Sequence, residues 1–233
     1  MRAIIDWRRP LVYTQVMKYS NIRKDDQDAV IHEIGPVVPA MLREAVDEGF
    51  YNYDVSRRKD PDAYPEYTDC TRGNMLYDRI AASARQLVDA ATADIPDLSW
   101  KITHNKRATD VLLDTRFAFR IKRTKLNRSG LSTSVSTRRQ RAIKSNVMLP
   151  IGQMVMRFPD DQATVSDEER IWLTVGFDLD EPEESLKRVA IGIELRKKFL
   201  WKIPLPVPDA GVIASISPIL ADKIVDMRGR RSA

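Results

Sequence analysis

Ten cations crowd one stretch of the chain: Arg116, Arg120, Lys122, Arg123, Lys125, Arg128, Arg138, Arg139, Arg141 and Lys144. Ser and Thr residues are interleaved among them. Guanidinium forks, ammonium groups and hydroxyls are the groups that hold phosphate oxygens. Between Lys101 and Ser145 there are 13 Lys and Arg against two acids, Asp110 and Asp114, a net of +11. The other residues hold 25 basic and 31 acidic side chains, a net of −6. A local positive field of this kind draws nucleic acid or an acidic protein partner. Its bland alternative is a solvated basic loop that only keeps the chain in solution. No aromatic residue lies between Phe119 and Ser145, so base stacking of the single-strand-binding kind is not expected. No helix-turn-helix or zinc-finger pattern stands out. The contact expected is electrostatic and largely indifferent to base sequence, on DNA or RNA.

A second constellation comes from carboxylates. Strand alternation puts Asp114, Arg116, Arg120 and Lys122 on one side of a strand, and Thr174 with Asp178 on the matching side of another. Glu194 and Arg196 fall on that side of a third. Acids that hold Mg²⁺ through oxygen, with a Lys beside the attacking water, would make a nuclease of Asp114, Asp178 and Glu194. The usual Glu-x-Lys is replaced by Glu194-Leu195-Arg196. The alternative is a set of cross-strand ion pairs on a solvated face, each worth under about 1 kcal/mol.

Other chemistry lacks its signatures. The sequence holds no phosphate-cradling glycine loop, no HExxH and no GxSxG. Its two histidines, His32 and His104, fall in different halves, and the single cysteine, Cys70, permits no internal disulfide. No resident metal or cofactor is expected. No apolar run approaches the ~20 residues that cross a bilayer, and the start lacks a signal-peptide core, so a cytoplasmic location without membrane association is expected.

The elements that would position these residues divide the chain of 233 residues. Residues 1–24 show no clean period and read as a partly ordered arm or a short helix, Val12–Ser20, packed on the body. Two helices are expected over 25–50, with Val30, Ile31 and Ile34 on one stripe and Val38, Met41, Leu42, Ala45 and Val46 on the next. Gly35-Pro36 separates them and Gly49 is the expected stop. Arg43, Glu44, Asp47 and Glu48 form the opposite, charged face. Tyr51–Asp69 reads as a linker. Thr71–Thr92 is a helix whose face is Leu76, Ile80, Ala84, Leu87, Val88 and Ala91. From Leu98 the period becomes two. Strands are expected at 98–103, 111–123 (one long strand), 153–158, 171–180, 188–196 and 199–205, with a loop at 124–134 and a basic helix at 137–146. Ser217–Met227 closes as a helix before a basic tail. No internal repeat stands out.

The fold class expected is therefore α+β: a helical half, 1–95, then an antiparallel-sheet half with a basic loop, 96–233, the two forming either separate domains or one. The function expected is a non-catalytic accessory or regulatory protein bound to nucleic acid. The metal-dependent nuclease and a module docked on an acidic protein are its rivals. The sequence leaves the oligomeric state open.

Overall fold

The computed structural model describes residues 22–95, 100–105, 108–113, 117–124, 126–127, 130–131, 171–179, 185–195 and 198–232. The expected arm before residue 22, the basic helix at 137–146 and the strand at 153–158 lie outside them. The fold is α+β, with helices in the first half, a six-stranded and mostly antiparallel sheet, and a C-terminal helix. Its two compact units are discontinuous in sequence. The helical unit takes residues up to Asp97 together with Leu205 onward, and the sheet unit takes Leu98–Pro204.

In the helical unit, α1 (Gln27–Ile34) starts at Asp26, whose carboxylate accepts from Ala29 N–H. It stops at Gly35, where φ is 68° and glycine is the residue that fits. α2 (Val37–Lys59) does not end at Gly49 as expected. Gly49 sits against α3 (Asp69–Asp94), where an added Cβ would lie 2.6 Å from the Ile80 Cα. It is there for close helix approach, and the helix runs on for ten more residues, taking in Tyr51 and Tyr53. Tyr53 is buried and meets Tyr64, in the 3₁₀ turn Tyr64–Glu66, edge-on and hydroxyl to hydroxyl. α3 buries Leu76, Ile80, Ala84, Leu87, Val88 and Ala91, the face that its spacing predicts. Its cap is Thr68, which accepts from Thr71 N–H.

After the sheet, α4 (Ala210–Ala214) and α5 (Pro218–Ser232) complete this unit. Asp94 at the end of α3 accepts from Ser217 Oγ and Ile219 N, both at 2.8 Å, and so caps α5 from another helix. The expected basic tail is the last turn of α5. Arg228 Nε and Arg231 Nη2 donate to Glu44 of α2 at 2.6 and 2.7 Å, and Arg230 lies 3.4 Å from Glu48. Glu44 and Glu48 are therefore buried, not on a solvated face. A period argument places them opposite the apolar stripe but cannot see the arginines that arrive from 182 to 187 positions away.

In the sheet unit, β1 (Trp100–Asn105), β2 (Ala108–Leu113) and β3 (Phe117–Arg123) form one meander. β6 (Ile171–Leu179), β7 (Leu186–Leu195) and β8 (Lys198–Pro204) form another. Between them β4 (Leu126–Asn127) and β5 (Gly130–Leu131) make a two-residue ribbon within the expected loop. The sheet order is β1-β2-β3-β6-β7-β8. β3 and β6 are parallel, the one departure from antiparallel pairing.

The expected long strand 111–123 is thus a hairpin. Leu113 pairs with Phe117 around residues 114–116. A three-residue connection keeps parity, so Val111 and Phe119 face each other on the side that one straight strand would give them. Val111, Phe117, Phe119, Ile121, Leu173, Val175, Phe177, Val189, Ile191 and Ile193 are all buried on that side.

The two meanders repeat each other, which the linear reading missed. Val111–Ile121 (VLLDTRFAFRI) aligns without gaps on Ile193–Ile203 (IELRKKFLWKI), with Leu113/Leu195, Phe117/Phe199 and Ile121/Ile203 identical. Val111/Ile193, Arg116/Lys198, Phe119/Trp201 and Arg120/Lys202 are conservative. The registers agree: Thr109↔Ile121, Asp110↔Arg120 and Val111↔Phe119 match Ile191↔Ile203, Gly192↔Lys202 and Ile193↔Trp201. They part at a bulge after Ile193, which sets Phe199 opposite Glu194 rather than on the side of Trp201 and Ile203.

Candidate nucleic-acid interface

The cations of the basic segment divide into those with described side chains and those without. Arg120, Lys122 and Arg123 belong to β3. Arg116, Lys125, Arg128, Arg138, Arg139, Arg141 and Lys144 lie outside the described residues, as do Asp114 and Arg196. β-alternation turns Arg120 and Lys122 to the side opposite Phe119 and Ile121, as the spacing predicts.

At its centre that side is covered, with Lys122, Thr174 and Glu194 buried. Arg120 is a fork on the Asp110 carboxylate, with Nε and Nη2 at 2.7 and 2.6 Å. Its guanidinium also lies over the Trp172 ring, 5.1 Å from the centroid. Lys122 Nζ donates to Glu194 Oε1 at 2.6 Å, and the two side chains are 8% and 2% exposed. Lys122 stands on β3 and Glu194 on β7, so the pair crosses β6. In register with Lys122 on β6 is Gly176. Gly192 on β7 admits no side chain: a Cβ there would lie 2.4 Å from the Trp201 carbonyl oxygen.

The sheet thus brings Arg120, Lys122, Thr174, Asp178 and Glu194 to one side, as the strand phases imply. It pairs Glu194 with a lysine and adds Asp110, which the sequence reading did not single out as a ligand or partner. The missing signal was the hairpin: Asp110 and Arg120 are direct cross-strand neighbours only because β2 and β3 pair antiparallel. Asp178 stands opposite Arg188. Among the described residues, no group of three or more His, Cys, Asp or Glu side chains is placed to hold a metal ion.

Charge in the helical unit is closely matched. Arg43 forks onto Asp47 at 2.9 and 3.0 Å and donates to the Leu205 carbonyl at 2.8 Å. Burial raises Asp47 above its ordinary carboxylate value despite the arginine. Arg57 and Arg58 share Asp54, and Arg72 holds Asp69. Cys70 is exposed. Among the described residues, no helix is long and apolar enough to cross a membrane. No family model, curated protein or solved structure matches this chain.

Proposed function

We propose that this protein is a non-catalytic accessory or regulatory protein that associates with nucleic acid through the phosphate backbone. The observation that carries the reading is the segregation of charge, +11 within Lys101–Ser145 against −6 elsewhere. The ion pairs refine it. Arg120 and Lys122 are matched by Asp110 and Glu194, so they support the sheet rather than contact phosphate. Setting those pairs aside leaves eleven cations between Lys101 and Ser145 against Asp114 alone. The arginines of α5 are likewise held by Glu44 and Glu48. Phosphate contacts then fall to Arg116, Lys125, Arg128, Arg138, Arg139, Arg141 and Lys144.

Filter binding to unrelated duplexes over a salt series tests this. Log affinity should fall linearly with log salt, by about 0.9 per phosphate contact. Replacing Arg138, Arg139 and Arg141 together with Ala should flatten the slope by roughly two to three units, equally on every sequence. Absence of binding to DNA and RNA at low salt, with retention of an acidic polypeptide, would put the protein-partner reading first.

A further inference from the structure

The repeat in the sheet makes its two outer edges complementary. β3 and β8 are equivalent third strands of their meanders, and β1 and β6 are equivalent first strands. β3 pairs in parallel with β6. β8 therefore presents outward the same edge that β3 gives to β6, and β1 presents the edge that β6 gives to β3. Among the described residues, β1 pairs only with β2 and β8 only with β7. We propose that β8 of one copy of this chain pairs in parallel with β1 of a second copy, head to tail, in the register of the β3–β6 junction.

The register follows from the two alignments. Arg120↔Thr174 and Phe119↔Leu173 at the centre become Lys202↔Thr103 and Trp201↔Ile102 between copies. Burial agrees. Phe119, Ile121 and Leu173 at the centre are fully covered, whereas Trp201, Ile203 and Ile102 at the edges are only half-buried. A neighbouring strand is what the first set has and the second lacks. Backbone hydrogen bonds would supply affinity, as in any strand addition, and the half-buried aromatics would supply the register.

Two features restrain the contact. The cation–aromatic pair Arg120 and Trp172 is replaced at the edges by Lys202 and Lys101, both exposed. Pro204 stands where the centre has Lys122 and offers no N–H. Lysine and proline are the residues that hold sheet edges apart. The association is therefore weak at low salt and strengthens as salt screens the two lysines, the opposite of the dependence expected for phosphate binding. A head-to-tail contact of this kind closes into a ring or continues as an open series.

Sedimentation of the full chain over a concentration series, at low and high salt and without nucleic acid, reads the association. The expected result is a mass that rises with concentration and rises further in high salt. Lys101→Glu should tighten the association roughly tenfold at low salt by turning a like-charge pair into an opposite one. With Cys70→Ser as background, Thr103→Cys and Lys202→Cys combined should give a ladder of disulfide-linked oligomers on oxidation, and Lys202→Cys alone should not. A monomer at every concentration and salt would overturn the proposal. Equal cross-linking by Lys202→Cys alone would replace it with a symmetric β8–β8 contact.

Discussion

At the scale of single residues, the two buried ion pairs decide what β3 can do. Lys122 and Glu194 lie almost wholly out of water and pair at 2.6 Å. Removing one partner leaves an uncompensated charge, at a cost of about 3–5 kcal/mol, whereas replacing both with apolar residues of similar size can be nearly neutral. Glu194→Gln and Lys122→Met should each lower the urea midpoint strongly, and the double variant should recover most of the loss. Additive losses would mean that the pair is not coupled. Asp47 carries a pH prediction. Burial raises its folded-state value, so its contribution to stability is present below the ordinary carboxylate range and lost as pH rises through the raised value. Stability of Asp47→Asn relative to the native chain should therefore improve as pH is raised from about 3 to neutrality. A relative decline over that interval would show that pairing with Arg43 outweighs burial.

Elements depend on contacts that single positions hold open or fill. The α2–α3 crossing at Gly49 leaves no room for a methyl group, because the facing atoms include the Ile80 backbone. Gly49→Ala should destabilise the chain by about 1–3 kcal/mol despite alanine's better helix propensity, as judged by thermal unfolding. A stabilised variant would mean that the helices separate without cost. In the sheet, Phe119 is fully covered. Phe119→Ala should cost about 3–5 kcal/mol, while a loss below about 1 kcal/mol would invert the strand phase. α5 is held at its start by Asp94 and at its end by Glu44 and Glu48. Ending the chain after Met227 removes all three terminal arginines and strands two buried carboxylates, which should unfold the C-terminal helix in hydrogen exchange while α3 keeps its protection. Uniform loss of protection would mean that α5 has no separate stability.

For the molecule as a whole, the two units differ in how they handle charge. In the helical unit the arginines of α5 and of α2 are consumed by carboxylates of the same unit. In the sheet unit Arg120 and Lys122 of the basic segment are matched in this way. The surplus of positive charge is therefore carried by the residues around and after β3, and the proposed phosphate contact belongs to the sheet unit alone. Trimming residues 228–233 should lower stability yet leave the salt slope of nucleic-acid binding unchanged in the surviving folded fraction. A flattened slope would return the terminal arginines to the interface.

The order of elements, the buried face of α3, the apolar side of the sheet and the segregation of charge all follow from local period and composition. They do so because neighbours along a helix or strand are fixed by 3.6 and 2 residue repeats. Those repeats are blind to what happens at a tight turn. An odd connection preserves alternation, so the hairpin of β2 and β3 reads as one strand, which hides the Asp110–Arg120 pair. A glycine that ends a helix and a glycine that lets two helices touch look alike in sequence, so Gly49 reads as a stop although α2 runs through it. The burial of Glu44 and Glu48 and the parallel joining of β3 to β6 rest on residues from 54 (Phe117 to Ile171) to 187 (Glu44 to Arg231) positions apart. Only the tertiary structure brings such partners together, because the free energy that holds them comes from desolvation and pairing across the fold and leaves no periodic trace in the chain.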